Sequence, residues 1–310
     1  MANAPFVINP ALTAIAVAYR NSEFIADRVA PRFRVAKQEF KWQQWNLEDG
    51  FTVPDTAVGR RGQPGQLDFG ATEQTGTTQD HGLDAPVPQA DIDNADQYYD
   101  PEARATEGVM YMLMMGREKR VADQLSSLST YKSTLRTTLS GTSQWSDYTN
   151  SDPIGDIEGA KDSMIGMPNV LVLGLPVWSK VRRHPKVIKA VQGPLGTDGL
   201  VTTQQLADAL ELDEIIVGRA QFNTARRGQT VSIGRIWGKH ASLIRRDQNP
   251  AGPQQVPTFM WTAQWGSPIA GRILDPDMGV RGGFRVRAAE SVREVVSGQE
   301  LGYLWRDAVA

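Results

Sequence analysis

The sequence predicts an α+β fold, in which helices and strands are mixed without regular alternation. Two observations support this class. Residues 38–88 have the pattern of one long β-hairpin with many turn-forming residues at its tip. After this hairpin, helical and strand-like segments follow one another without the strict strand–helix–strand repetition of a parallel sheet. The 310 residues suffice for one large domain or two smaller ones, each with a hydrophobic core.

Composition restricts the possible chemistry and location. The chain has no cysteine, which excludes disulfides, thiolate metal sites and cysteine nucleophiles, and which suits synthesis in a reducing cytoplasm. Its N-terminus lacks the basic region and apolar core of a signal peptide. No apolar run approaches the roughly 20 residues of a membrane span. A formal net charge of −2 gives no overall attraction to nucleic acid or to an anionic membrane.

The charges are nonetheless unevenly distributed. No lysine or arginine lies between Arg61 and Arg104, a stretch that is rich in aspartate. By contrast, residues 176–246 carry 12 Lys/Arg against 5 Asp/Glu. Opposite charge blocks in one chain suit complementary contacts between subunits. Two solvated faces that never meet are the alternative interpretation.

The segment before the hairpin is a lead-in and not a domain. Residues 1–10 are predicted to be extended. They are followed by a short amphipathic helix, in which Leu12, Ile15, Ala16 and Tyr19 recur at helical spacing. Pro31 ends a weaker continuation of this pattern.

The hairpin has aromatic and apolar residues near its base and few beyond it. A two-stranded ribbon is only marginally stable alone in water, and long loops without their own core are usually functional or disordered. We therefore predict that this hairpin contacts another subunit, and that its tip arginines meet an acidic surface drawn from residues 68–100. The predicted contact residues are Trp42, Trp45, Arg60, Arg61 and Phe69.

A long helix is predicted next, over residues 101–128. Asp100 can cap it, Pro101 suits its first position, and Glu102 places a carboxylate in its first turn. At 1.5 Å per residue this helix is about 40 Å long. Its middle is apolar on nearly all sides, which indicates burial against more than one layer. Gly108 and Gly116, two turns apart, would let another backbone approach closely.

Shorter elements fill the remainder of the chain. We predict strands at 132–139, 169–173, 214–217, 231–244 with a break at Gly238, 258–265, 283–296 and 301–305. We predict helices from Asp152–Pro153 onward, at 176–191 with a kink at Pro185, and at 203–212. The last thirty residues are expected to return and pair with earlier strands.

No catalytic, cofactor or metal site is predicted. The three histidines, His81, His184 and His240, have no second ligand at metal-binding spacing. Residues 266–273 have the glycine spacing of a phosphate loop, but they carry arginine and isoleucine where lysine and serine or threonine are needed. A nucleotide-dependent enzyme that uses this loop is therefore a distant alternative. An unchanged melting temperature with nucleotide and magnesium would contradict this alternative.

One dense basic patch follows the predicted strand at 169–173. It consists of Arg182, Arg183, Lys186 and Lys189, close to Trp178. Such a patch can track DNA phosphates without reading bases, or it can form part of a subunit interface. A solvated helix face is the simpler interpretation, and we favour it.

Several stretches of the sequence, taken in order, resemble one known family. They are LTAIAVAYRN at 12–21, ADRVAP at 26–31, KQEFKW at 37–42 and SGTSQWSD at 140–147. Together with the hairpin, the long helix and the mixed core, they resemble tailed-phage major capsid proteins of the Hong Kong 97 fold, in particular those of Mu-like transposable siphophages. The resemblance covers nearly the whole chain.

This resemblance implies a domain organisation. Residues 1–37 would form an N-terminal arm and residues 38–88 an extended loop that lies over a neighbouring subunit. Residues 89–150 would form a peripheral domain with a spine helix at 101–128. Residues 151–275 would form an axial domain, and residues 276–310 would return to the peripheral domain.

The resemblance also implies partners and a location. The protein would assemble with itself into pentamers and hexamers of an icosahedral shell around packaged double-stranded DNA, which it would contact without sequence preference. It would form part of the virion after assembly in the host bacterial cytoplasm, with a portal and possible decoration proteins and without a membrane. A decoration or tail-tube protein is the alternative structural role.

Two departures from the family pattern affect these expectations. Some members join the extended loop to a neighbour by a Lys–Asn isopeptide bond, but no lysine lies between Lys41 and Lys119. We therefore expect a non-covalent contact. Some members begin with a helical scaffolding segment, whereas this sequence begins with its arm. We therefore expect a separate scaffolding protein.

Overall fold

The computed structural model describes residues 6–45, 56–58, 62–63, 71–96, 98–193, 199–226, 228–247 and 258–310. Its helices are α1 (Pro10–Ala18), α2 (Ala26–Val29), α3 (Gln89–Asp93), α4 (Pro101–Leu125), α5 (Pro153–Ser163), α6 (Leu175–Val181), α7 (Pro185–Gln192) and α8 (Thr203–Ala209). Its strands are β1 (Val7–Ile8), β2 (Arg32–Val35), β3 (Glu39–Trp45), β4 (Ala71–Thr77), β5 (Gln79–Pro88), β6 (Arg136–Thr138), β7 (Val170–Gly174), β8 (Glu214–Gly218), β9 (Gln221–Asn223), β10 (Ile233–Arg235), β11 (Ala241–Ile244), β12 (Met260–Asp275), β13 (Gly283–Val296) and β14 (Gly302–Arg306).

One sheet, the long sheet, is built around the antiparallel pair β12–β13. Its strand order is β1-β12-β13-β5, and β2 pairs with β12 in parallel. The β12–β13 ladder has an irregularity between Trp265 and Ile269. Because Gly266 has φ +72° there, the strand bulges and continues. The predicted strand at 258–265 was therefore too short, since its glycine-rich sequel is strand and not loop.

Helix α4 packs on one face of the long sheet. Asp100 accepts hydrogen bonds from the backbone N–H groups of Glu102 and Ala103, and Pro101 begins the helix as predicted. The helix ends at Leu125 and not at residue 128. It ends there because the hydroxyls of Thr130 and Tyr131 donate to the carbonyls of Gln124 and Leu125, both at 2.7 Å. The residues buried between helix and sheet are Leu12, Ala16, Val87, Val109, Met110, Leu113, Ala270, Val286 and Ala288.

A second sheet, the short sheet, has the strand order β6-β14-β11-β7-β8. Helices α5 to α8 contribute buried residues to the core on one face, together with Trp145 and Trp305. On the other face, α2 and the C-terminal half of α4 pack around Val172, Ile216 and Trp237. β14, close to the C-terminus, lies between β6 and β11, so the last residues of the chain are part of this core.

The predicted hairpin is shorter than the sequence suggested. β3 pairs with β4 from Glu39↔Thr77 to Trp45↔Ala71, and this pair is the β3–β4 ribbon. β5 was expected in the same hairpin, but it pairs along its whole length with β13. The chain changes from ribbon to sheet at Thr78, whose N–H donates to Gln38 and whose hydroxyl meets that of Ser291 at 2.9 Å. Sequence alternation identifies a strand but not its partner, which explains the error.

Three further elements differ from their predictions. The helix expected at 176–191 is two helices, because Pro185 begins α7 and His184 caps it. The strand expected at 132–139 is limited to β6. The strand expected at 231–244 is divided between β10 and β11, which belong to different sheets and are joined through Gly238 with φ +55°.

Strand pairing also departs from the predicted domain limits. β12, within the segment 151–275, lies in the long sheet with β5 and β13. β14, within the segment 276–310, lies in the short sheet with β7 and β11. The physical reason is that the two sheets share a chain that crosses between them more than once, which a linear division of the sequence cannot represent.

Candidate interaction surfaces

Aromatic side chains fix the base of the β3–β4 ribbon on the long sheet. Trp42 is 8% exposed and meets Trp261 edge to face, with the ring centroids 6.4 Å apart. Phe40 lies beside both rings, at 5.5 and 5.8 Å. A Cβ at Gly76 would lie 2.8 Å from the Trp42 ring, so glycine is required for this contact. Little of the Trp42 side chain is therefore free to contact a second chain.

The other predicted hairpin contacts are placed only in part. Trp45 ends β3, where its backbone pairs with Ala71. Arg60, Arg61 and Phe69 lie outside the residues that the structure describes. The predicted contacts of these four residues stay predictions.

The acidic block at 68–100 is partly neutralised within the chain. Asp84 accepts two hydrogen bonds from the Arg287 guanidinium at 2.6 and 2.7 Å, and these bonds hold the pKa of its carboxyl below the ordinary value. Glu73 pairs with Lys41 across the ribbon at 2.5 Å, and Asp93 lies 3.8 Å from Arg281. Less of the block is therefore available to another subunit than the sequence suggested.

A buried ion network, not anticipated from the sequence, joins α4 to the N-terminal segment and the long sheet. Arg117 is 2% exposed and pairs with Asp27. It also donates to the Ala30 carbonyl at 3.0 Å and to the Thr262 hydroxyl at 2.9 Å. Arg32 extends the network, because it donates to Asp27 at 2.7 Å and to buried Glu290 at 2.6 Å. Burial would raise the pKa of Asp27, but the two guanidinium groups outweigh burial and hold it below its ordinary value.

The neighbouring carboxylate, Glu118, anchors two other elements to α4. It accepts hydrogen bonds from the N–H groups of Ile25 and Ala26 at 2.9 and 2.8 Å, at the start of α2. It also accepts one from the Trp237 indole at 2.7 Å. Burial raises the pKa of Glu118 despite these bonds. The sequence shows at this site only a run of four charged residues, 117–120, after the apolar middle of the helix.

The four residues of the predicted basic patch lie on α7 and in the turn between α6 and α7. The Arg182 guanidinium lies 5.8 Å from the centroid of the Trp178 ring. Arg183 is exposed and donates to the Ser179 carbonyl, and Lys186 lies 3.5 Å from Asp152. Lys189 is exposed on α7. The cluster keeps a net positive surface, which suits either DNA phosphates or an acidic protein surface.

Beneath this patch lies His184, a fully buried residue that sequence analysis considered only as a metal ligand. Its Nδ1 accepts a hydrogen bond from the Lys186 N–H at 3.2 Å and so caps α7. Its Nε2 lies 3.1 Å from the Ser151 hydroxyl. Burial, with a smaller effect of Lys186, lowers the pKa of His184. The imidazole is therefore a structural cap in its neutral form.

The glycine-spaced segment at 266–273 is a strand and not an open loop. Gly271 pairs with Ile8 on one side and Arg287 on the other, and the Ala270 N–H donates to the Thr13 hydroxyl. These backbone groups are thus already bonded and unavailable to cradle a phosphate. Within the described ranges, no three His, Asp or Glu side chains are grouped for metal binding. No helix in the described part of the chain has the length and apolar content that a membrane crossing requires.

Comparison with known proteins assigns the chain to a family. No family model matches it. It is, however, 49% identical to the major capsid protein of Pseudomonas phage JBD67 over 310 residues, which is 100% of both chains. The chain belongs to the phage major capsid proteins.

Other proteins of phage origin are also similar to this chain. The major capsid protein of Burkholderia phage BcepMu is 26% identical over 96% of this chain and 95% of its own length. A crystal structure of a phage-related protein from Bordetella bronchiseptica RB50 matches with a TM-score of 0.76 and 25% identity, covering 98% of this chain and 99% of that one. The capsid of Cyanophage P-SCSP1u shares the fold at 9% identity, with a TM-score of 0.59, covering 93% of this chain and 89% of that one.

The capsid protein therefore has the α+β fold of the Hong Kong 97 type, as the resemblance in sequence implied. The predicted family and fold are confirmed. Its named relatives are structural proteins of phage shells.

Proposed function

We propose that this capsid protein assembles into pentamers and hexamers, which form an icosahedral shell around packaged double-stranded DNA. The observation that carries the proposal is the 49% identity to a major capsid protein over the entire chain. The β3–β4 ribbon, whose base packs on the long sheet, suits a subunit that makes further contacts with its neighbours. Assembly would take place in the host cytoplasm, and the product would be the virion shell.

The domain organisation follows as part of the proposal. Residues 1–37 serve as the N-terminal arm and the β3–β4 ribbon as the base of the extended loop. The long sheet and α4 make the peripheral domain, in which α4 is the spine helix. The short sheet and α5 to α8 make the axial domain, which surrounds the symmetry centres. The sheets, and not the linear limits 151–275 and 276–310, define these units.

The extended loop would lie over a neighbouring subunit and hold it without a covalent bond. Seven residues per strand span about 23 Å at 3.3 Å per residue, and 25 further residues separate Trp45 from Ala71. This length can reach across a neighbour. Trp45, Arg60, Arg61 and Phe69 are the proposed contacts, whereas Trp42 mainly fixes the base of the loop.

The basic patch of Arg182, Arg183, Lys186 and Lys189 would face DNA or an acidic part of the assembly. A scaffolding protein, a portal and a possible decoration protein are further proposed partners. No catalytic role is proposed for the Gly266–Arg272 segment, because its backbone groups are bonded in the sheet.

Electron microscopy of the purified chain, expressed with and without a candidate scaffolding protein, tests the proposal. We expect closed shells, or at least capsomers and curved sheets, because weak contacts at every subunit sum through multivalency. Helical tubes or isolated trimers would indicate the alternative role of a tail-tube or decoration protein. A strictly monomeric protein under both conditions would contradict the shell.

A further inference from the structure

A second, shorter ribbon projects from the capsid protein with apolar side chains exposed. β9 and β10 pair antiparallel from Gln221↔Arg235 to Asn223↔Ile233, and this pair with its loop, residues 219–239, is the β9–β10 ribbon. Val231 is 65% exposed and Ile233 is 60% exposed. Exposed aliphatic side chains close together on a projecting element are typical of an interaction surface.

The same ribbon carries uncompensated positive charge. No aspartate or glutamate occurs between Glu214 and Asp247. The described basic residues of this ribbon are Arg219, Arg226, Arg235 and Lys239. All four are exposed. None of them forms an ion pair with another described residue. A surface that is both basic and apolar fits an acidic protein surface with exposed aromatic groups better than it fits DNA phosphates alone.

The ribbon is held firmly at its base. Phe222 packs beneath the Lys119 ammonium, which lies 5.4 Å from its ring centroid, and Trp237 donates to Glu118. Adding a Cβ at Gly218 would place it 2.1 Å from the Trp237 ring, so the chain enters the ribbon through a fixed close contact. A ribbon with a rigid base loses little conformational freedom on binding.

A second surface of the same chain, distant from the β9–β10 ribbon, is complementary to the ribbon in charge. It is the segment from α3 to the start of α4, residues 91–100, called the acidic segment. Tyr98 is 89% exposed there and Tyr99 is 44% exposed. Asp91 and Asp96 are exposed and form no ion pair within the described residues. Tyrosine is among the residues that most often dominate binding energy at interfaces.

The two surfaces cannot meet within one subunit. The ribbon packs at Lys119 and the acidic segment ends at Asp100, so α4 separates them by about 28 Å at 1.5 Å per residue. A contact between two different patches of identical chains is heterologous, and repetition of such a contact closes a ring when the rotation permits. That geometry is the one a capsomer requires.

We infer that the β9–β10 ribbon docks on the acidic segment of a neighbouring copy of this chain. Arg226 would meet the aspartates, and Val231 and Ile233 would pack against Tyr98. The inference rests on the proposed function, since it assumes that copies assemble into capsomers. It adds which two surfaces join them.

Site-directed photo-crosslinking tests the inference. Because the sequence has no cysteine, an introduced cysteine is the only thiol that can be labelled. In the Ser232→Cys variant, the new thiol lies between Val231 and Ile233. It is labelled with a thiol-reactive benzophenone. Subunits labelled with ¹⁵N and unlabelled subunits are assembled as a mixture, so that mass spectrometry distinguishes crosslinks between chains from crosslinks within one chain. We expect mixed-label crosslinks between the peptide that contains residue 232 and peptides from residues 91–107. Met167→Cys, which replaces a residue 61% exposed elsewhere, is the matched control and should give no such crosslink.

A charge exchange provides an independent test. Arg226→Glu alone and Asp96→Arg alone should each lower the yield of shells by about tenfold, because one ion pair is lost at every subunit contact. The double variant restores the pair with its charges exchanged, and it should recover most of the yield. Circular dichroism and unfolding of the dissociated subunits confirm that all three variants fold.

The outcomes separate this inference from the proposed function. Shells that form normally but yield only intrachain crosslinks, crosslinks to other peptides or crosslinks to DNA would overturn the inference and leave the shell intact. Failure of the double variant to recover assembly, with folded subunits, would also overturn it. Failure of the unmodified chain to assemble under any condition would contradict the proposed function itself.

Discussion

Arg117, on α4, is the side chain at which α2 and β12 are joined to that helix. Its guanidinium contacts Asp27, the Ala30 carbonyl and Thr262, and through Asp27 it reaches Arg32 and Glu290. Desolvating such charges costs several kcal/mol per ion, roughly, and only good geometry offsets that cost. The network is therefore weak support for high stability. It is stronger support for one defined arrangement of the N-terminal segment on α4.

Removing Arg117 should be strongly destabilising. Arg117→Ala removes one donor from Asp27, which keeps Arg32, and one from the Ala30 and Thr262 oxygens, and it leaves a cavity in place of a buried side chain. We expect a loss of about 2–4 kcal/mol in the free energy of unfolding. Denaturant unfolding of the dissociated subunit measures this. Lys119→Ala, which breaks an exposed pair with Asp123, is the control and should cost about 0.5 kcal/mol or less. Equal effects of the two variants would show that the network has no special structural role.

His184 makes the cap of α7 dependent on pH. Its neutral Nδ1 accepts the Lys186 N–H, and protonation would place two donors against each other. Because the folded pKa is lowered from 6.5, the unfolded chain binds more protons in acid, so this contribution to stability is lost as pH falls below 6.5 toward the folded pKa.

We expect acidification from pH 7 toward about pH 5 to weaken hydrogen-exchange protection in α7, after correction for intrinsic exchange. Asp147 and Asp152 favour this protonation, but burial and Lys186 outweigh them and keep the pKa of His184 below its ordinary value. Helix α8 is the internal control, since Thr202 caps it and does not titrate. His184→Asn, which can still cap the helix, should remove the difference between the two helices. Unchanged protection of α7 in the parent protein would contradict the assignment.

At the scale of single residues, the sequence predicted local roles such as helix capping. It did not predict which remote residue each side chain contacts. The cap at Asp100 and Pro101 could be predicted because it depends on neighbours in sequence. The role of Trp42 could not, because its partner Trp261 is more than two hundred residues away. Arg117 and Glu118 were missed for the same reason, since all their partners are remote.

At the scale of elements, the base of the β3–β4 ribbon depends on one small residue. Gly76 lets the Phe40 and Trp42 rings lie on the ribbon backbone beside Arg293. We expect Gly76→Val to displace these rings and to destabilise the subunit by about 1–3 kcal/mol, since overpacking forces rigid side chains from their places. Tryptophan fluorescence and denaturant unfolding report the two effects.

The control for this variant is Gly159→Ala. A Cβ at Gly159 meets nothing within 4 Å, and the residue lies inside α5. This change should be neutral or stabilising by about 0.5–1 kcal/mol, because alanine favours the helix. A Gly76→Val subunit with the parent's fluorescence and stability would show that the ribbon base is looser than its geometry indicates.

Helix starts that are marked by capping residues were predicted correctly, whereas the pairing of strands was not. The starts of α4 and α5 follow from Asp–Pro pairs at their N-termini. β12 was predicted as too short because Gly266 and Pro268 suggested a loop, whereas a bulge absorbs both within the strand. β5 was assigned to the hairpin because its alternation fits any antiparallel neighbour. In the structure it pairs with β13, and α4 packs against both strands.

At the scale of the whole molecule, the shell depends on contacts that a single subunit does not contain. Arg60 and Arg61 are the proposed contacts at the loop tip, and Asp91 and Asp96 remain exposed without ion pairs among described residues. Replacing both arginines with glutamate should weaken assembly while leaving subunit folding intact, because like charges then face each other. Sedimentation of assembled particles, with unfolding of the free subunit, measures both properties.

The matched control keeps the charge. Arg60→Lys with Arg61→Lys should assemble nearly as well as the parent at low salt, if charge and not guanidinium geometry is what matters. Normal shells from the glutamate variant would contradict the proposed contact. A glutamate variant that fails to fold would indicate an intrachain role instead.

The position of β14 has a consequence for the timing of synthesis. This strand lies between β6 and β11, and Ala308 and Val309 beyond it are buried. A nascent chain on the ribosome holds β6, β7 and β11 long before it holds their missing neighbour, so the short sheet cannot close until translation of residues 302–309 is finished. A polypeptide that lacks these residues therefore has an incomplete short sheet. We expect a subunit to join its neighbours only after these residues have taken their place in the short sheet.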